Sequence, residues 1–227
     1  ELKLYVVSRG GPPLFGREWL KHIQLDWQSI KYVETTQTDT KTKLNQLLKK
    51  YKDVFAAGLG KLENIWARLT VVDNAEPKFA KARQLPYALK PKVEAELDNL
   101  EQEGVLSKVD YSDWATPIVP VVKRNNTVRI CGDFKTTLNP VLQVDKYPLP
   151  RIEDIFASLA GGQKFTKIDL RQAYLQMVVE EDSRKYLTIN THRGLYRYNR
   201  LVFGVASAPS IWQRSIDQVL QGIPNVH

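Results

Sequence analysis

Phe165-Thr166-Lys167-Ile168-Asp169-Leu170-Arg171-Gln172-Ala173-Tyr174, followed by the apolar run Leu175 to Val179, is the stretch on which the reading of this chain turns. The β-rich run Lys164 to Asp169 reads as a strand that closes on an acid, with Tyr174 five positions further on. A carboxylate at a strand end offers the hard anionic oxygen that Mg²⁺ takes, and Mg²⁺ in turn bridges to phosphate oxygens. The same Asp would serve equally as a turn-former or a helix N-cap, so its neighbours have to decide.

Upstream lies Lys123-Arg124-Asn125-Asn126-Thr127-Val128-Arg129-Ile130-Cys131-Gly132-Asp133-Phe134, then Leu138-Asn139. Downstream lie Leu201-Val202-Phe203-Gly204-Val205-Ala206-Ser207-Ala208-Pro209 and Trp212-Gln213-Arg214. In this order and spacing the blocks resemble the reverse transcriptase of gypsy-type long-terminal-repeat retrotransposons, over residues 75–227. The resemblance implies an α+β right-hand polymerase: fingers and a partial palm, an antiparallel sheet with flanking helices. It also implies nucleotidyl transfer from a dNTP to a primer 3′-hydroxyl on an RNA or DNA template, with two Mg²⁺ ions. Template–primer and dNTP are the implied partners, together with the rest of a polyprotein: remaining palm, thumb, ribonuclease H and integrase.

The residue roles come from the same resemblance. Asp169 is the expected catalytic metal ligand, helped by the backbone carbonyl of Leu170. Lys123 and Arg129, on opposite arms of an expected hairpin, suit a triphosphate as a point charge and a forked donor. Tyr174 matches a steric gate whose ring would clash with a ribose 2′-hydroxyl. Phe203 and Gly204 match a loop against nucleotide and template; Gln213 and Arg214 are candidate template contacts. Asp133 is expected to support local backbone or an Arg, and His192 to be a polar turn residue. Gln172 falls where some relatives carry an acid, so it receives no metal role.

The family continues, after a segment like Gly222 to His227, into a strand bearing Tyr-x-Asp-Asp, and no such pair occurs in this chain. One of three expected metal carboxylates is therefore present, and the chain as given is expected not to polymerise. The alternative is a non-enzymatic nucleic-acid-binding remnant, or a host-retained copy of such an element.

Composition sets the outer bounds. With 43% hydrophobic and 26% charged residues in 227, the chain reads as ordinary globular protein with a real core. Lys and Arg outnumber Asp and Glu by 33 to 25, a net charge of +8 that favours nucleic-acid contact. The single Cys131 excludes an internal disulfide and suits a reducing compartment. No run approaches the roughly 20 apolar residues of a membrane helix, and no signal segment opens the chain. An intracellular site, cytoplasmic or nuclear, is expected. A first residue of Glu1 rather than Met suggests a piece of a longer chain.

Along the chain, Leu2 to Val7 alternates like a strand, and Gly10-Gly11-Pro12-Pro13 breaks it before Leu14 to Leu20. That last piece resembles the C-terminal helix of a retropepsin, so residues 1–30 read as a remnant of an all-β aspartic protease. Residues 31–74 read as a polar linker to residue 43 and then an amphipathic helix carrying Leu44, Leu47, Leu48, Tyr51 and Phe55. Pro91 to Glu103 predicts a helix with Val93, Leu97 and Leu100 inward, Gly104 as its stop and a solvated acidic face of Glu94, Glu96, Asp98 and Glu101. Ile118 to Val122 and Thr127 to Phe134 predict a hairpin about Asn125-Asn126; Arg151 to Leu159 predicts a short helix. Strands are expected at Lys164 to Asp169, Leu175 to Val179, Tyr186 to Ile189 and Leu195 to Leu201. The final helix is expected to be capped by Ser207 and to bury Ile211, Ile216, Val219 and Leu220.

Overall fold

The structure, a computed structural model, describes residues 37–163, 165–224 and 226, with side chains from residue 41 onward. The expected strand at Leu2 to Val7 and the helix at Leu14 to Leu20 lie outside the described residues. The chain divides into two units, Glu1–Ala56 and Ala57–His227.

In the first unit, helix α1 (Gln37–Lys50) begins inside the stretch expected to be linker. Its first residues are Gln and Thr rather than strong helix formers. Once Leu44 and its neighbours have nucleated a turn, extending it by one residue is far cheaper than starting a new one. The helical spacing of Leu44, Leu47 and Leu48 is present, but these side chains are exposed, as is Phe55 on the 3-10 turn Lys52–Phe55. The expected packed face is therefore not a core face.

The second unit holds the remaining elements. They are β1 (Trp66–Ala67), α2 (Lys90–Gln102), β2 (Leu106–Val109), β3 (Thr116–Val122) and β4 (Val128–Gly132). The short helix α3 (Ile152–Ser158) follows, then β5 (Val178–Val179) and α4 (Glu181–Arg184). Strands β6 (Thr188–Thr191) and β7 (Gly194–Tyr198) and helix α5 (Ala208–Leu220) end the order. A five-stranded sheet runs β2-β7-β6-β3-β4, and β1 pairs with β5 beside it.

Helix α2 forms for the reasons its sequence announces. Pro91 sits in the first turn, where its missing N–H leaves no bond unmade, and Gly104 ends the helix at φ +70. Val93, Leu97 and Leu100 recur at helical spacing and are buried against the sheet's own core residues, among them Leu106, Ile118 and Ile130.

The sheet is mixed, not antiparallel as expected. Thr116 and Pro117 of β3 pair in parallel with Ile189 and Asn190 of β6, whereas Ile118 to Val122 pair antiparallel with β4. One long strand thus serves two neighbours in succession. Pro120, which cannot donate to a ladder, falls in the stretch where β3 has a partner on one side.

Three expected strands shrink for local reasons. Residues 165–170 form neither helix nor turn and pair with no strand among the described residues, so Asp169 lies in an exposed irregular segment rather than at a strand end. Gln172, left-handed at φ 51, turns the next residues into the 3-10 turn Ala173–Gln176, and β5 keeps only Val178 and Val179. A second 3-10 turn, Lys185–Leu187, delays β6 to Thr188. Ser207 has helical backbone and makes no cap bond; its hydroxyl accepts the Asp145 N–H at 3.1 Å instead. Helix α5 buries Ile211 and Ser215, but Val219 is exposed, and Ile216 and Leu220 are half-buried.

Two glycines set how closely these pieces approach. A Cβ on Gly132 would lie 2.6 Å from Phe134 Cε2, and Phe134 is fully buried and cannot retreat. Gly204, at φ +94, would place a Cβ 3.1 Å from the Gly132 carbonyl oxygen. Gly132→Ala is expected to lower unfolding free energy by about 1–3 kcal/mol, as overpacked cores do, read from the urea midpoint. Phe134→Leu in the same chain should recover part of that loss; strictly additive losses would show that the two do not compete for one space.

Candidate functional site

The β3–β4 hairpin supplies the cationic side of the site. Its turn closes by a Lys123 N–H to Thr127 carbonyl bond of 2.8 Å and an Asn126 N–H to Lys123 carbonyl bond of 3.0 Å, with Asn126 at φ 63. Val121 stands opposite Arg129 in the ladder. Because side chains alternate with period two, Lys123 shares the face of Val121 and hence of Arg129. Val128 and Ile130 take the other face into the core. The Arg129 guanidinium lies 5.7 Å above the Phe203 ring centroid.

These residues line a cavity of about 360 Å³ together with Asp169, Leu170, Gln172 and Glu96. The irregular segment thus brings Asp169 and Leu170 to the same hollow as Lys123 and Arg129, although it is not a strand. Tyr174 packs on Phe203 with ring centroids 4.6 Å apart, and edge-on to Trp212 at 5.9 Å. Burial pushes the Tyr174 hydroxyl above its ordinary pKa. Neither Tyr174 nor Gly204 is a wall of the cavity: Tyr174 reaches it only through Phe203, and Gly204 is the close approach behind Phe203. Gln213 and Arg214 stand away from it: Gln213 donates to Asp217 at 2.8 Å, and Arg214 pairs with Asp145. Asp133 pairs with Arg83, as expected of a supporting acid.

Sequence reading missed two residues here. Asn139 clamps the loop after Phe203 with both amide atoms, its Nδ2 donating to the Gly204 carbonyl at 2.8 Å and its Oδ1 accepting the Ala206 N–H at 3.0 Å. The signal was the Leu138-Asn139 pair, quoted but given no task. Glu96 was placed on a solvated face, yet it lines the cavity with Lys123 and Arg129. It lies three residues after Val93 and four before Leu100, on the flank of the buried stripe, which is legible from helical spacing. The rest of that acidic face is not simply solvated: Glu94 contacts His192 at 2.9 Å and Asp98 pairs with Arg193 at 2.6 Å. His192 is therefore a bonded turn residue. Burial raises the Glu96 carboxyl above the usual range, with Glu103 adding to the rise, while the charges of Lys123 and Arg129 pull it down.

Residues 124–227 match the family described as Reverse transcriptase (RNA-dependent DNA polymerase). This is a reverse-transcriptase segment of the retrotransposon Pol type. A retrovirus-related Pol polyprotein from the Drosophila melanogaster transposon opus is 32% identical over 78% of this chain and 18% of its own length. The corresponding polyprotein of transposon gypsy is 31% identical over 69% of this chain and 16% of its own. An uncharacterised Caenorhabditis elegans protein is 39% identical over 88% of this chain and 16% of its own. The chain spans about a sixth of the length of these relatives. The prototype foamy virus protease–reverse transcriptase shares the fold, with TM-score 0.69 and 22% identity over 83% of this chain and 26% of that one. The foamy viral enzyme in complex with an RNA/DNA hybrid gives 0.70 at 20% identity, over 84% of this chain and 26% of that one.

Asn139→Ala is expected to leave the fold standing while the Ala206 amide, its acceptor gone, exchanges its hydrogen about fivefold faster or more. Unchanged exchange at Ala206, followed by NMR, would show that Asn139 does not hold the loop.

Proposed function

We propose that the cavity under the hairpin binds a deoxynucleoside triphosphate, and that the segment belongs to an enzyme transferring nucleotides from it to a primer 3′-hydroxyl on an RNA or DNA template. The observation that carries this reading is the convergence of Asp169, Lys123, Arg129 and Phe203 on one hollow. Among the described residues neither Lys123 nor Arg129 is held in an ion pair, so both charges are free to meet a phosphate. Lys123 supplies a compact charge and Arg129 a forked one, its plane held over Phe203. Tyr174, its ring fixed between Phe203 and Trp212, would face the sugar and reject a 2′-hydroxyl by contact.

Mg²⁺ takes octahedral oxygen donors, and the Asp169 carboxylate with the Leu170 carbonyl and two phosphate oxygens suits one ion. It does not suit two, and among the described residues no group of three or more His, Cys, Asp or Glu stands together. Bound there, the ion would neutralise phosphate charge. Around it, this chain's own residues hold the triphosphate and orient the sugar. Template–primer as partner is supported by the nucleic-acid complexes of the foamy viral enzymes and by the net charge of +8. Residues 1–30 as a protease tail, residues 31–74 as a linker with one helix, an intracellular location, and the remaining polyprotein domains belong to the same proposal. No helix among the described residues is long and apolar enough to cross a membrane.

Purified chain with Mg²⁺, primer–template and dNTPs is expected to give no primer extension, because one carboxylate does not hold two ions. Extension abolished by Asp169→Asn would overturn that expectation. Calorimetry should show deoxynucleoside triphosphate binding that Lys123→Ala and Arg129→Ala each weaken by about tenfold, as lost charge-assisted bonds do.

Duplex binding is expected to be weak, with log affinity falling linearly in log salt at a slope of about 0.9 per phosphate contacted, and nearly indifferent to Lys123→Ala and Arg129→Ala. Affinity that stays flat between about 50 and 200 mM salt excludes phosphate neutralisation as the mode.

A further inference from the structure

Four charged side chains line the cavity: Lys123 and Arg129 on one side of the balance, Asp169 and Glu96 on the other. Asp169 already has a task in the triphosphate reading, and Glu96 has none. Its neighbours on α2 are satisfied elsewhere, Glu94 by His192 at 2.9 Å and Asp98 by Arg193 at 2.6 Å. Glu96 makes no hydrogen bond or ion pair with any described residue, and its charge is answered chiefly by Lys123 and Arg129 across the hollow. It is half-buried, so water screens it less than a surface acid.

We propose that Glu96 is an affinity-setting residue that competes with the triphosphate for Lys123 and Arg129. This rests on the triphosphate reading of the cavity. The carboxylate partly balances the two cations across the hollow without pairing with either. An entering triphosphate, more negative than one carboxylate, displaces that interaction and has to work against Glu96 at close range. Among the described residues, no cation beyond Lys123 and Arg129 lines the cavity to offset it. Nucleotide affinity is therefore held below what two unopposed cations would give. The same repulsion favours departure of the polyanionic product once the sugar is no longer held.

The test is calorimetry of the whole chain with deoxythymidine triphosphate and Mg²⁺. Glu96→Gln is expected to bind about tenfold more tightly, since one charge at this range and an intermediate dielectric is worth that much. Glu96→Ala should do the same, which separates charge from shape. Deoxythymidine, which lacks phosphate, should show no gain with either variant. In a Lys123→Ala/Arg129→Ala background the gain should vanish, a coupling that a merely structural role would not produce. Unchanged or weaker affinity in both Glu96 variants overturns the inference, as does a gain that persists without the two cations. If Lys123→Ala and Arg129→Ala cost nothing, or if millimolar triphosphate fails to bind at all, the triphosphate reading itself falls. Loss at the cations without gain at Glu96 removes only the inference.

Discussion

The approach of Gly204 to the Gly132 carbonyl is the constraint on which the site depends. A Cβ on Gly132 would strike the Phe134 ring at 2.6 Å, and one on Gly204 would press the loop against the Gly132 carbonyl at 3.1 Å. Phe134 also anchors the turn that follows: its carbonyl accepts the N–H of Thr137 at 3.3 Å and of Asn139 at 2.9 Å. Asn139 then reaches across to the Gly204 carbonyl and the Ala206 N–H, on either side of Val205. Three segments distant in sequence are thereby fixed to one point. Because Arg129 lies three residues before Gly132 on β4, and Phe203 directly precedes Gly204, the same contact sets the 5.7 Å between guanidinium and ring. The position of a charge is here a consequence of two missing side chains.

The electrostatics of the unit divide along the same line. Away from the cavity, four arginines have acidic partners: Arg83 with Asp133, Arg193 with Asp98, Arg214 with Asp145, Arg184 with Glu181. Exposed pairs of this kind contribute at most about 1 kcal/mol each, so they orient side chains more than they hold the fold. Their effect is to withdraw those cations from competition. Lys123 and Arg129 are left to face Asp169 and Glu96 across an open hollow without direct pairing. Charges held apart by the backbone remain available to a ligand, whereas charges already collapsed into contact would first have to be separated.

Legibility in the sequence follows how local each determinant is. Helix α2, with its proline start, apolar spacing and glycine stop, was readable because all its signals lie within one turn or two of each other. The hairpin was readable for the same reason, and it carried Lys123 and Arg129 with it. Parallel pairing of Thr116 with Ile189 was not readable, since nothing in either segment specifies a partner some seventy residues away. The apolar spacing of Leu44, Leu47 and Leu48 gave the helix but not its burial, because periodicity states which side is apolar and not whether anything covers it. Glu96 was misplaced by a rule of composition, acidic therefore solvated, where the helical spacing from Val93 and Leu100 already put it on the flank of the buried stripe.

The segment that opened the sequence reading shows where local signals stop. Its β-formers at residues 165–170 yield no strand among the described residues, because β-propensity is a property of the residues and a strand is a property of a pair. At Gln172 the left-handed backbone ends the run and starts the turn that carries Tyr174. That turn is tied down from behind. Arg200 donates to the carbonyls of Leu175 and Gln176, at 3.4 and 3.2 Å, and Leu62 donates its N–H to Gln176 at 2.8 Å. The aromatic end of the motif is thus fixed by long-range hydrogen bonds and by Phe203 and Trp212. Asp169 has no bonded partner among the described residues. A single continuous motif therefore delivers two groups with different degrees of definition: a ring whose position the fold imposes, and a carboxylate that no bond to a described residue fixes.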